Sequence, residues 1–166
     1  MARARRVDLK SERAHIPLSG IVWPTGLRYG GRMATTKPLY DLIGGEPVVR
    51  ALTRRFYELM DSLPEAAACR AVHPASLDGS EAKLFDYLTG WLGGPPIYVQ
   101  KNGPPMLRAR HLHAPIGHDE IEGWLACFRQ AWAETVPNEA ATAVVMPRVQ
   151  ALARHMGNRP DGAVRP

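Results

Sequence analysis

From Pro38 to Gly157 the apolar residues return every three to four positions, and no stretch alternates singly. The pattern predicts helices and no sheet. A short helical turn holding Tyr40 and Leu42 comes first, and Gly44-Gly45 closes it because glycine accepts backbone angles other residues resist. Pro47 opens the next helix, which ends near Ser62. Val48, Leu52, Phe56 and Leu59 form its buried stripe, and Tyr57 points about a hundred degrees away from Phe56. Pro64 stops that helix. Glu65 to Val72 makes another short turn, ended by His73-Pro74 since a residue before proline avoids helical angles. Ser76 or Asp78 caps a helix that runs to about Leu92, with Ser80, Leu84, Tyr87 and Trp91 on one face. Gly93-Gly94-Pro95-Pro96 terminates it.

Residues 97–117 then read as a long connection with one short helix near 105–112. A connection of that length usually has a function or is disordered. His118 or Asp119 starts a strong helix ending near Thr135, with Ile121, Trp124, Leu125, Phe128 and Trp132 on a wide apolar face. Pro137-Asn138 breaks the chain. The last helix runs to about Met156, with Val144, Val145, Val149, Leu152 and Met156 as its buried side. Pro147 either kinks it or starts a second segment, and Gly157-Asn158 caps its end.

The 166 residues fit one domain with extensions. The expected organisation is a basic extension over 1–36, a helical domain over 37–158 and a loose tail over 159–166. Residues 1–32 carry seven basic and two acidic side chains, while the rest of the chain balances at 14 of each. The folded part therefore offers no net charge to a phosphate backbone, which argues against a nucleic-acid partner. Met33 is a candidate for the true first residue. The rival reading is a genuine basic tail that touches membrane, nucleic acid or a partner. No apolar run is long enough to span a bilayer, and no secretory signal is evident. The two cysteines, Cys69 and Cys127, lack CxxC spacing. Together these predict a cytoplasmic protein with free thiols, either a monomer or a homodimer.

Several pieces of the chain then take on meaning together: LYDLIGG, RFYELM, AVHP, WLGGPPIY, GPPMLRARH, WLACF and HMGN. In order and spacing they resemble the group II truncated haemoglobins, the compact two-over-two helical globins. The resemblance covers about three-quarters of the chain. It implies an all-α, globin-like sandwich around haem b. Six histidines are present, and the RARH motif matches the family's proximal motif at His111. Globins bind their iron through a neutral proximal imidazole, so His111 is the expected metal ligand. His113 faces away from it on a short helix. Arg108 and Arg110 beside it, and Lys83 from another wall, are candidates for the haem propionates, with Tyr98 adding a hydroxyl. Leu84, Leu107 and Ile116 are expected to touch the cofactor, with Phe85, Trp91 and Phe128 as further apolar candidates.

The resemblance also assigns a distal side. Tyr57 matches the family's ligand-binding tyrosine, Trp124 its tryptophan, and His73 the polar or aromatic position packed beside them. Ser80 stands where larger globins place a distal histidine. A diatomic ligand that takes partial negative charge from ferrous iron is stabilised by phenol, indole and imidazole donors in a water-poor pocket. The resulting expectation is reversible binding of O2, and of NO or CO, with slow release. One alternative is a redox enzyme that converts NO to nitrate or reduces peroxide. No flavin or nicotinamide motif is present, so that chemistry would need an external reductase. Weaker alternatives are a haem-based sensor or interaction module, and a helical domain that has lost its haem.

Overall fold

The computed structural model describes residues 37–160. The basic extension, the start at Met33 and most of the C-terminal tail lie outside them. Among the described residues there are eight α-helices and no strand. They are α1 Leu39–Ile43, α2 Glu46–Ser62, α3 Ala67–Ala71, α4 Asp78–Trp91, α5 Ile97–Asn102, α6 Leu107–His111, α7 His118–Thr135 and α8 Glu139–Met156. A 3₁₀ turn, Pro64–Ala66, joins α2 to α3. The four long helices make the two-over-two globin arrangement, with α2 packed on α4 and α7, and α7 on α8. None of the described helices is long and apolar enough to cross a membrane.

The sequence signals explain most boundaries. Gly44 takes φ 110°, a left-handed angle, and ends α1. Pro47 lies in the first turn of α2, where its missing N–H leaves no helical bond unmade. The core is a ladder of rings. Phe56 lies 5.0 Å from Trp124, which stacks on Phe128 at 5.3 Å, which stacks on Trp132 at 5.9 Å. The spacing of four along α7 puts these three rings on one face. Burying a ring such as Phe56 or Phe128 contributes about 1.5–3 kcal/mol. The Trp132 indole N–H donates to the Thr142 hydroxyl at 2.8 Å, tying α7 to α8. Gly123 lets the Pro64–Ala66 turn approach α7, since a Cβ there would stand 2.7 Å from the Glu65 carbonyl oxygen.

The structure refines the sequence reading in several places. Val49 is the fully buried residue at the start of α2, while Val48 turns toward Gly44 in the preceding turn. Both valines fit a helical stripe, and packing against α1 decides between them. Val144 is 39% exposed, so Ala141, Val145, Val149 and Ala153 form the buried side of α8. Pro147 lies inside α8 and does not begin a new segment. It lies on the solvent face with Ala143, so water can satisfy the carbonyl that loses its N–H partner. Gly157 is the C-cap of α8 as expected, but with φ −53° rather than a left-handed angle, its N–H reaching the Arg154 carbonyl.

The connection 97–117 also contains a helix the sequence reading missed, α5. The buried Asp86 carboxylate on α4 accepts from Lys101 Nζ at 2.9 and 3.1 Å and holds α5 against α4. Six residues with prolines on both sides carry too short a period to be read as a helix. α5 brings Tyr98 into the interior, edge-on to Tyr87 at 5.9 Å.

Candidate functional site

The helices enclose a cavity of about 910 Å³. This is toward the upper end of the roughly 300–1,000 Å³ typical of small-molecule sites. Leu84, Leu88 and Trp91 of α4 and Val149, Leu152 and Met156 of α8 give it apolar walls.

His111 ends α6 at the edge of this cavity. Its Nδ1 lies 2.7 Å from the Leu107 carbonyl oxygen one turn back. A carbonyl can only accept, so Nδ1 carries a proton, and the neutral form of the ring keeps its lone pair on Nε2. That is the form in which an imidazole binds a metal, and a backbone bond of this kind also orients the ring. Arg110 and Lys83 line the same cavity. Arg110 donates to the Asn102 carbonyl at 2.9 Å and lies 6.0 Å from the Tyr98 ring. Among the described residues neither cation has a carboxylate partner, so both are available to an acidic group on a ligand.

Tyr57, Ser80, His73 and Trp124 form another part of the wall. The Tyr57 phenol is buried against the Phe56 ring, and burial pushes its pKa well above the ordinary range, opposed only in part by Ser80. It therefore stays a protonated donor. The Trp124 indole N–H has no protein acceptor among the described residues, in contrast to the paired indole of Trp132. It is not a buried orphan either, because it borders the cavity. His73 packs edge-on to Tyr57 at 6.1 Å, with its Nδ1 2.8 Å from the Cys69 carbonyl oxygen.

The residues fit a haem. An imidazole oriented through Nδ1 has its Nε2 unengaged, the walls are apolar, two cations stand ready for carboxylates, and an indole N–H awaits an acceptor. The comparisons with known proteins agree. The model of the bacterial-like globin family matches residues 38–158.

The chain belongs to the bacterial-like globins.

Within them it is a group II truncated haemoglobin. It is 34% identical over 122 residues to group 2 truncated hemoglobin YjbI of Bacillus subtilis, covering 74% of this chain and 89% of that one. The solved group II 2-on-2 hemoglobin of Agrobacterium tumefaciens superposes with a TM-score of 0.75 at 59% identity, covering 78% of this chain and all of the other. The truncated oxygen-avid haemoglobin of Bacillus subtilis matches with a TM-score of 0.67 at 35% identity, over 73% of this chain and 99% of that one. Membership in this family implies a haem pocket and diatomic gas ligands such as O2.

This globin brings its sequence-predicted site residues to one cavity, with one exception. Tyr57, His73, Ser80, Lys83, Leu84 and Tyr98 line it, as do Leu107, Arg110, His111, Ile116 and Trp124. Arg108 does not, because its Nη1 donates to the carbonyls of His155 and Gly157. The side chain leans toward the end of α8 and away from the pocket, so the propionate role expected of it is withdrawn. Of the apolar candidates Trp91 borders the cavity, whereas Phe85 and Phe128 belong to the core. The sequence reading missed Cys69 and Asn102 on the cavity wall. Cys69 lies one helical turn before His73, a spacing that could have pointed to it.

The orientation of His73 changes its expected chemistry. With Nδ1–H on the Cys69 carbonyl, the neutral ring offers Nε2 as an acceptor rather than as a donor. Burial holds its pKa below the usual imidazole value of 6.5, and the nearby Arg70 adds to this, while the Cys69 bond opposes it. A depressed folded-state pKa gives stability that is complete above the unfolded value. That stability is lost as pH falls through the folded value. Urea unfolding of the apoprotein is therefore expected to become easier below pH 6.5, and more steeply for the wild type than for His73→Phe. Parallel pH profiles would rule this out.

Proposed function

We propose that this globin holds haem b through His111 and binds O2 reversibly, with slow release, and NO and CO at the same site. The observation that carries the reading is a single cavity bordered by an oriented imidazole with a free Nε2 and by two unspent donors, Tyr57 and Trp124. Bound haem would supply the iron that takes up a diatomic gas. The chain supplies the rest. His111 holds the cofactor from one side, while Lys83 and Arg110 are placed to pair with its propionates. The apolar walls exclude water, so each donor is stronger than in solution. Tyr57, supported by Ser80, and Trp124 donate to a ligand that gains negative charge. His73 accepts and does not donate, so it acts on the pocket through its neighbours. The name of the oxygen-avid Bacillus subtilis relative is in keeping with this reading.

Stopped-flow oxygen release from the ferrous protein tests it. Release much slower than from a typical oxygen carrier is expected, and carrier-like release would undo the hydrogen-bond argument. The convergence of phenol, hydroxyl and indole also favours a second reading, in which the protein converts NO to nitrate or reduces peroxide. That reading requires an external reductase. Turnover left unchanged by both Tyr57→Phe and Trp124→Phe would argue against a tuned reactive pocket.

A further inference from the structure

The segment that follows His111 is held by a set of polar contacts from the end of α8. The Asn158 side-chain oxygen accepts the Ile116 N–H at 3.0 Å. Its side-chain nitrogen donates to the His111 carbonyl at 3.1 Å and to the Ala114 carbonyl at 2.9 Å. The Asn158 backbone N–H donates to the Ile116 carbonyl at 2.9 Å. Arg108 reaches the other way, with Nη1 2.5 Å from the His155 carbonyl and 2.6 Å from that of Gly157. The bonds therefore cross between the two elements in both directions.

These contacts matter because α6 has little else to define its position. It is five residues long and buries none of them. A helix of that length has no stability of its own in water. Its other neighbour in the chain is a turn of non-helical residues ending at Gly117. Only an amide satisfies this arrangement. Two carbonyls require two N–H donors, one N–H requires an acceptor, and asparagine carries both on one short stem. Aspartate keeps the acceptor but would press a carboxylate against two carbonyl dipoles.

We propose that Asn158, assisted by Arg108, is a positioning residue for His111, setting the placement of the imidazole relative to the cavity. The proposal rests on His111 being the iron ligand. A ligand whose backbone carbonyl is itself tethered presents its ring in one orientation, and outer partners of this kind tune ligand strength. Neither residue touches the cofactor space, so their effect on it passes through the backbone of residues 108–116.

The test compares haem-loaded wild type, Asn158→Ala, Asn158→Asp and a core control, Val145→Ala, all in the full chain. Val145 is fully buried on α8 but does not border the cavity. The readouts are the iron–histidine stretching band of the deoxygenated ferrous protein, the rate of haemin transfer to an acceptor globin, and the melting midpoint. Both Asn158 variants are expected to shift or split the band and to lose haemin about tenfold faster. The control should lower the midpoint and leave the band in place. An unmoved band, with haemin loss no faster than in a control of equal midpoint, would overturn the proposal. If the Asn158 variants do not fold, Arg108→Gln should show the same band shift to a smaller degree, and an unmoved band there overturns it equally. His111→Ala separates the two levels of argument. Wild-type ligation in that variant would remove the His111 reading itself. Its loss, beside an unchanged Asn158→Ala, would remove the positioning role alone.

Discussion

Replacing His111 with alanine is expected to abolish the wild-type ligation spectrum and to weaken haemin binding by more than about 100-fold, beyond the 10–100-fold typical of outer ligand partners. Purified wild type titrated with haemin should bind one equivalent and develop a Soret band. The argument starts from the Leu107 carbonyl. By accepting from Nδ1–H it favours the tautomer of the His111 ring whose lone pair is on Nε2. The other histidines that border the cavity are His73 and His113. His73 has a comparable backbone bond to Cys69, but it sits with Tyr57 and Trp124, where a ligand rather than a cofactor bond is expected. His113 is two residues beyond His111 and lacks a one-turn carbonyl anchor of this kind. Free imidazole added to His111→Ala should restore a five-coordinate spectrum, because the cavity would remain with only its ligand missing. An unchanged spectrum in the variant, without added imidazole, would move the iron bond to His73 or His113.

Helix order, the turn glycines and the aromatic ladder were legible because each depends on local spacing. Trp124, Phe128 and Trp132 announce a face whatever they pack against. Tyr57, Ser80, Trp124 and His111 were reached differently, through the resemblance of their motifs. Periodicity alone would have made the two aromatics ordinary core residues. What remained hidden depends on partners distant in sequence. Arg108 is next to the proximal motif, and an arginine there suggests a carboxylate. Its real partners are carbonyls 47 and 49 residues away. Asn158 read as a helix cap for the same reason, since its bonds to residues 111–116 leave no mark on the local pattern. The role of His73 was legible as to place and not as to sign. Its residue type permits donor or acceptor, and only the Cys69 carbonyl decides. Short α5 was lost because the Asp86–Lys101 pair, and not an apolar stripe, holds it.

The second large effect is expected at the distal donors. Trp124→Phe should speed oxygen release from the ferrous protein by roughly 5- to 150-fold, equivalent to about 1–3 kcal/mol for a hydrogen bond to an acceptor with partial or full charge. The phenyl ring keeps the stacked contact with Phe128, so the change removes chiefly the N–H. Nothing in the described protein replaces that donor. Tyr57→Phe should act in the same direction but less strongly, because the Ser80 hydroxyl on the same cavity wall can turn toward the ligand in its place. Adding Ser80→Ala to Tyr57→Phe should then raise the rate to the level reached by Trp124→Phe. Donors that act on one acceptor are not independent, so the double variant Tyr57→Phe/Trp124→Phe should differ from the product of the single effects. Carbon monoxide supplies the control, since it gains little charge and accepts hydrogen bonds weakly. Its release should change far less than that of oxygen in every variant. If both gases are released faster in equal measure, the substitutions act through space and access, and the charge argument for slow oxygen release fails.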